Sequence, residues 1–166
     1  NIASNTALND NSKVAFFTME MATEEVITRM ISTASEIPLD YLLKGYGMDQ
    51  EKIMRVTRVV DVINKLDIYF DDTGTNTSLD IRAKARRLKA EIGGLDLVII
   101  DYLQLMSSYK KNNENRQQEI AEISRSLKVL AKELSVPVIA LSQLNRTPAS
   151  RDDNKPRLSD LRESGA

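Results

Sequence analysis

Three apolar runs in this chain each end in a side chain suited to work on a phosphate. Val14-Ala15-Phe16-Phe17-Thr18-Met19 runs into Glu20. Leu97-Val98-Ile99-Ile100 runs into Asp101. Pro137-Val138-Ile139-Ala140-Leu141-Ser142 runs into Gln143. A carboxylate such as Asp101 binds Mg²⁺, usually through water. A second carboxylate, Glu20, orients or deprotonates an attacking water. An uncharged amide, Gln143, donates to a γ-phosphate oxygen and accepts from the water, so it senses whether the phosphate is there. The set suits hydrolysis of a phosphoanhydride. Singly, each residue has a plainer explanation: a turn aspartate after a buried strand, a surface acid before a helix, a capping amide. Their shared place at strand ends points to a site.

The elements that must position them follow from the spacing of apolar residues. Leu97 to Ile100 has no polar alternation, which predicts a strand buried on both faces of a parallel sheet. Val26, Ile27, Met30 and Ile31 predict a helix over about 23–35, and Ile53, Val56, Val60 and Ile63 a second over about 49–65. Ile37-Pro38 and Gly45-Tyr46-Gly47 between them mark a connection. Asp67 to Asp72 reads as a strand. Thr77-Ser78-Leu79-Asp80 opens a helix that Gly93-Gly94 stops. Ile120, Ile123, Leu127, Leu130 and Leu134, spaced 3-4-3-4, give one apolar helix face before the last strand. Residues 110–115 and 145–156 read as loops. Strands alternating with helices predict a parallel α/β sheet with helices on both faces. In such a sheet the C-terminal strand ends share one edge, where ligands bind.

Composition narrows the chemistry. The 166 residues contain no cysteine and no histidine, which removes disulfides, thiolate metal sites, Ser-His triads and the commonest general base. Catalysis then rests on carboxylates, Lys and Arg, amides, hydroxyls and a hard cation. A length of 166 residues fits one domain. No stretch approaches a membrane span and no signal peptide opens the chain, so a cytoplasmic protein with no membrane partner is expected. The net charge of −1 is not the footprint of a basic nucleic-acid binder. Charge is nevertheless uneven. Arg82, Lys84, Arg86, Arg87 and Lys89 form one cluster, read as a solvated helix face. Arg146, Arg151, Lys155, Arg157 and Arg162 lie in a loop-like C-terminal stretch, where a binding role is expected.

Several blocks, in order, resemble the bacterial replicative DNA helicases of the DnaB type. They are Phe17-Thr18-Met19-Glu20-Met21, Ile81 to Lys89, Ile100-Asp101-Tyr102-Leu103-Gln104-Leu105-Met106, Asn115-Arg116-Gln117-Gln118-Glu119-Ile120, Ile123 to Lys128, Ala140 to Arg146, and Ser159-Asp160-Leu161-Arg162-Glu163-Ser164-Gly165. The resemblance runs essentially from end to end. It implies an incomplete RecA-like ATPase domain: a twisted, mostly parallel sheet from a hexameric motor that moves 5′→3′ on single-stranded DNA, with ATP and Mg²⁺ as cofactors. By similarity Glu20 is the catalytic glutamate and Asp101 the Walker B aspartate that binds the metal. Gln143 couples the γ-phosphate to the DNA loops, with Arg146 beside it at the nucleotide. Arg162, Glu163 and Gly165 match a central-channel loop on the DNA backbone. Lys110, Lys111 and Arg116 match the position of a second channel loop. Arginine and backbone N–H groups grip phosphates without reading sequence, and Glu163 suits a positioning role. Primase and a helicase loader are the partners the resemblance implies.

The departures define the rest of the expectation. The family's phosphate loop, a glycine-rich turn ending in Gly-Lys-Ser/Thr, is expected just before Asn1, with the first core strand. An arginine finger is expected beyond Ala166. Residues 1–166 therefore read as part of an ATPase domain that does not turn ATP over at a normal rate by itself. Met19 stands where the family has Leu, a mild change. Two other readings are a recombination or repair ATPase of RecA type and a non-catalytic fragment keeping a DNA-binding or subunit-packing surface. The Asn-Arg-Gln-Gln-Glu and Leu-Arg-Glu-Ser-Gly blocks favour the replicative helicase.

Overall fold

A computed structural model describes residues 1–74, 77–106 and 116–144, together with residue 155. Its centre is a parallel sheet of β1 (Val14–Thr18), β2 (Ile68–Asp71), β3 (Leu97–Asp101) and β4 (Val138–Ala140), in the order β2-β1-β3-β4. The register runs Val14–Leu97 through Thr18–Asp101 between β1 and β3, and Ile100–Ala140 closes the pairing of β3 with β4. All C-terminal strand ends therefore lie on one edge, as the apolar runs predict.

Alternation along β1 and β3 builds two cores. Ala15, Phe17, Val98 and Ile100 face one side, where α5 (Ser78–Glu91) and α6 (Arg116–Leu134) cover them. Val14, Leu97 and Ile99 face the other, where Ala3 and Ala7 of α1 (Ile2–Asp10) pack. Helices thus occupy both faces. The predicted stripe of α6 is real: Ile123, Leu127, Leu130 and Leu134 are buried. Each such side chain contributes about 1.5–3 kcal/mol by leaving water. The start of α5 is a capping box, with Asp80 N–H donating to Thr77 Oγ1 and Thr77 N–H to Asp80 Oδ2. Gly93, at φ +71°, ends the helix in the left-handed conformation that glycine adopts without a Cβ clash.

Two details differ from the sequence expectation. The connection between α2 (Thr23–Ser35) and α4 (Gln50–Ile63) contains a short helix, α3 (Leu39–Lys44). Pro38 and Gly45, which mark the connection in the sequence, are its two caps. Six residues are too few for periodicity to announce a helix. The last strand is also shorter than its apolar run. The ladder stops at Ala140, and β4 is half-buried because it lies at the border of the described sheet.

The first basic cluster is only partly a solvated face: Arg86 and Arg87 are exposed, while others in the cluster are engaged. Arg82 and Arg86 both pair with Glu133 of α6, Arg86 at 2.7 Å, and Lys84 reaches Asp71 of β2 at 2.8 Å. Lys89 donates to the Leu134 carbonyl. These cations tie α5 to its neighbours. No described helix is long and apolar enough to cross a membrane.

Candidate active site

The site forms where three chain segments leave the sheet. Beyond Thr18 the chain turns sharply so that α2 can start at Thr23. Thr18 is fully buried, and its hydroxyl donates to the Met21 carbonyl at 2.9 Å while accepting from the Met21 N–H at 3.3 Å. That clasp closes the turn carrying Glu20. Asp72, just beyond β2, accepts from both the N–H and the hydroxyl of Thr23, so a neighbouring strand supplies the cap for α2. These bonds hold the Asp72 carboxyl below its ordinary pKa. Glu20 is thus an exposed side chain on a turn fixed at both ends.

Asp101 ends β3 half-buried. Glu20, Asp101 and Gln143 line one cavity of about 240 Å³ with Tyr102, Leu141 and Ser142. The three polar strand-end residues predicted from sequence therefore converge. Burial raises the pKa of Asp101, and the negative charge of Glu20 raises it further. A carboxylate in that setting gains from a nearby cation. Among the described residues, no group of three or more His, Cys, Asp or Glu is placed to hold a metal. The half-buried Asp101 carboxylate is a group that could hold a hard cation.

Gln143 is exposed, three residues past β4. Its backbone is held by Gln104, a residue of the 3-10 turn Leu103–Leu105 that follows Asp101. Sequence reasoning missed the supporting roles of Thr18, Asp72 and Gln104. Gln104 lies inside the Asp-Tyr-Leu-Gln-Leu block, so its position was visible but its partner was not. Arg116 begins α6. Lys110, Lys111, Arg146, Arg162, Glu163 and Gly165 lie outside the described residues.

The family model for the DnaB-like helicase C-terminal domain matches residues 1–166. The chain belongs to that family. It is 46% identical over 166 residues to the replicative DNA helicase DnaB of Geobacillus stearothermophilus, covering all of this chain and 36% of the relative. It is 49% identical over 160 residues to the DnaB of Leifsonia xyli subsp. xyli, covering 96% of this chain and 34% of that protein. The chain thus spans about a third of the length of these curated relatives. Among solved structures, an ATPase domain aligns with a TM-score of 0.90 at 36% identity, covering 98% of this chain and 57% of that one. A DnaB-like replicative helicase, solved in a study of its interactions with primase, aligns at 0.89 and 36% identity over 98% of this chain and 39% of that one. The DnaB-type fold is therefore the RecA-like α/β arrangement expected from the sequence, in incomplete form.

Proposed function

We propose that residues 1–166 are part of the ATPase domain of a replicative DNA helicase. The whole protein couples ATP hydrolysis to 5′→3′ movement on single-stranded DNA and to duplex unwinding. It works as a hexamer in the cytoplasm, with primase and a loader as partners. The observation that carries this reading is the convergence of Glu20, Asp101 and Gln143 on one cavity at the C-terminal edge of a parallel sheet. Membership of the DnaB-like family supports it.

In this reading Glu20 accepts the proton of the attacking water and aims its oxygen at the γ-phosphorus. Its exposure on a fixed turn suits a base that must meet solvent and substrate. Asp101 would hold Mg²⁺. Bound Mg²⁺ neutralises charge on the phosphate oxygens. Gln143 donates its side-chain amide to a γ-phosphate oxygen, so loss of the phosphate frees it. Arg146 contributes positive charge beside the nucleotide. Arg162 and the Gly165 backbone hold DNA phosphates while Glu163 braces the loop; Lys110, Lys111 and Arg116 supply a second contact.

The test is Glu20→Gln in the full-length chain. Nucleotide binding should stay within about threefold, while turnover falls by about 10² or more, the range lost with a general base. Near-normal turnover overturns the assignment.

A further inference from the structure

Beyond Ala140 the β3–β4 ladder ends, and the Gln143 backbone has no strand partner among the described residues. Two main-chain bonds keep the tail of β4 close to β3: Leu141 N–H donates to the Ile100 carbonyl at 2.9 Å, and Leu103 N–H to the Leu141 carbonyl at 3.0 Å. After them, one side chain takes over. The Gln104 Oε1 accepts from the Gln143 N–H at 3.1 Å. Its Nε2 donates to the Gln143 carbonyl at 3.0 Å and to the Ser142 hydroxyl at 2.8 Å. A single carboxamide therefore satisfies both main-chain polar groups of Gln143, copying the bonds a neighbouring strand supplies.

The chemistry of the side chain is matched to this task. The N–H needs an acceptor and the carbonyl a donor, on one rigid planar group. Glutamate lacks the donor, and asparagine falls one methylene short. Gln143 is exposed, so without this hold water competes for its backbone and the side chain loses a fixed origin. The 3-10 turn follows Asp101 after one residue, so the hold also ties the amide end of the cavity to its carboxylate end.

We propose that Gln104 is a positioning residue that fixes Gln143 over the nucleotide and joins it to the Asp101 segment as one unit. This rests on the reading of Gln143 as the phosphate-sensing amide.

The experiment is a double-mutant cycle in the full-length chain, with ATP turnover measured at saturating single-stranded DNA. Gln104→Met keeps the size of the side chain and removes the three bonds to Ser142 and Gln143. Its kcat should fall about tenfold to a hundredfold, as for a misplaced reacting group, with KM for ATP within about twofold. The double variant Gln104→Met/Gln143→Ala should be no slower than Gln143→Ala alone, because Gln104 acts through Gln143. Effects that multiply overturn the inference, since a general structural loss adds independently. An impaired Gln143→Ala beside a fully active Gln104→Met overturns the inference alone. A fully active Gln143→Ala overturns the reading of Gln143 and the inference with it. Should Gln104→Met not fold, Gln104→Glu, equal in size and polar, is read through the same cycle.

Discussion

The Met19 N–H donates to the Asp101 carbonyl at 2.9 Å, directly beyond the Thr18–Asp101 register pair. The bond extends the β1–β3 ladder to the residue before Glu20. The two carboxylates of the cavity therefore belong to one hydrogen-bonded frame, and their mutual repulsion is built in. Burial, with the charge of Glu20 added, raises the cost of ionising Asp101, which a divalent cation offsets.

That setting gives a pH signature. Asp101 is raised, so the folded protein keeps its proton to higher pH than the unfolded chain does. Stability falls as pH climbs from the ordinary carboxylate value, about 3.9, through the raised folded value. Asp101→Asn escapes this loss. Without nucleotide, the variant should melt above wild type at pH 7, with the advantage shrinking as pH falls through the raised folded value and gone below about pH 4. Added MgCl₂ should raise the wild-type midpoint more than that of the variant. Superimposed melting curves across pH sink the argument.

Thr18→Val tests the clasp. The shape is kept, but the Met21 N–H and carbonyl lose their buried partner. Leaving such groups unsatisfied costs about 1–3 kcal/mol, read from urea unfolding. The turn then no longer fixes Glu20, so turnover of the full-length protein should fall as well. Unchanged stability with unchanged turnover refutes the clasp.

Lys84→Met tests the link from α5 to β2. Burial pushes the Asp71 carboxyl up, but bonds from Lys84 and Thr73 outweigh it and leave its pKa lowered. A lowered carboxylate stabilises the fold above its unfolded pKa and loses that contribution as pH falls through the folded value. Removing Lys84 should cost on the order of 1 kcal/mol at pH 7, discounted for partial exposure. The cost should fade in acid as pH falls below the ordinary carboxylate value, about 3.9, and through the lowered folded value. A penalty independent of pH contradicts the ion pair.

The two basic clusters should separate in a DNA-binding assay. Arg82 and Arg86 are engaged with Glu133, so Arg82→Ala or Arg86→Ala should lower the melting temperature and leave single-stranded DNA affinity within about twofold. Arg162→Ala should weaken binding about equally for all sequences and make the salt slope shallower by about 0.7, one phosphate contact on a single strand. An Arg82→Ala loss as large as that of Arg162→Ala, or an Arg162→Ala loss confined to one DNA sequence, contradicts this division.

The sequence by itself determined the sheet, its parallel sense and the three strand-end residues. Leu97 to Ile100 without polar alternation reads as a strand covered on both sides, and the 3-4-3-4 spacing of α6 as a helix with one buried face. Local chemistry also sufficed for the Thr77–Asp80 cap and the Gly93 stop. What the sequence left open depended on contacts between distant segments. Glu133 decides that Arg82 and Arg86 reach across to pair with α6, over 51 and 47 positions (133 − 82 and 133 − 86). Asp72 caps a helix that starts 49 positions earlier. Gln104 meets Gln143 only after β3 and β4 pair. Short-range periodicity reports which face of an element is buried; the partner of a polar side chain is chosen by packing, and only the tertiary structure records that choice.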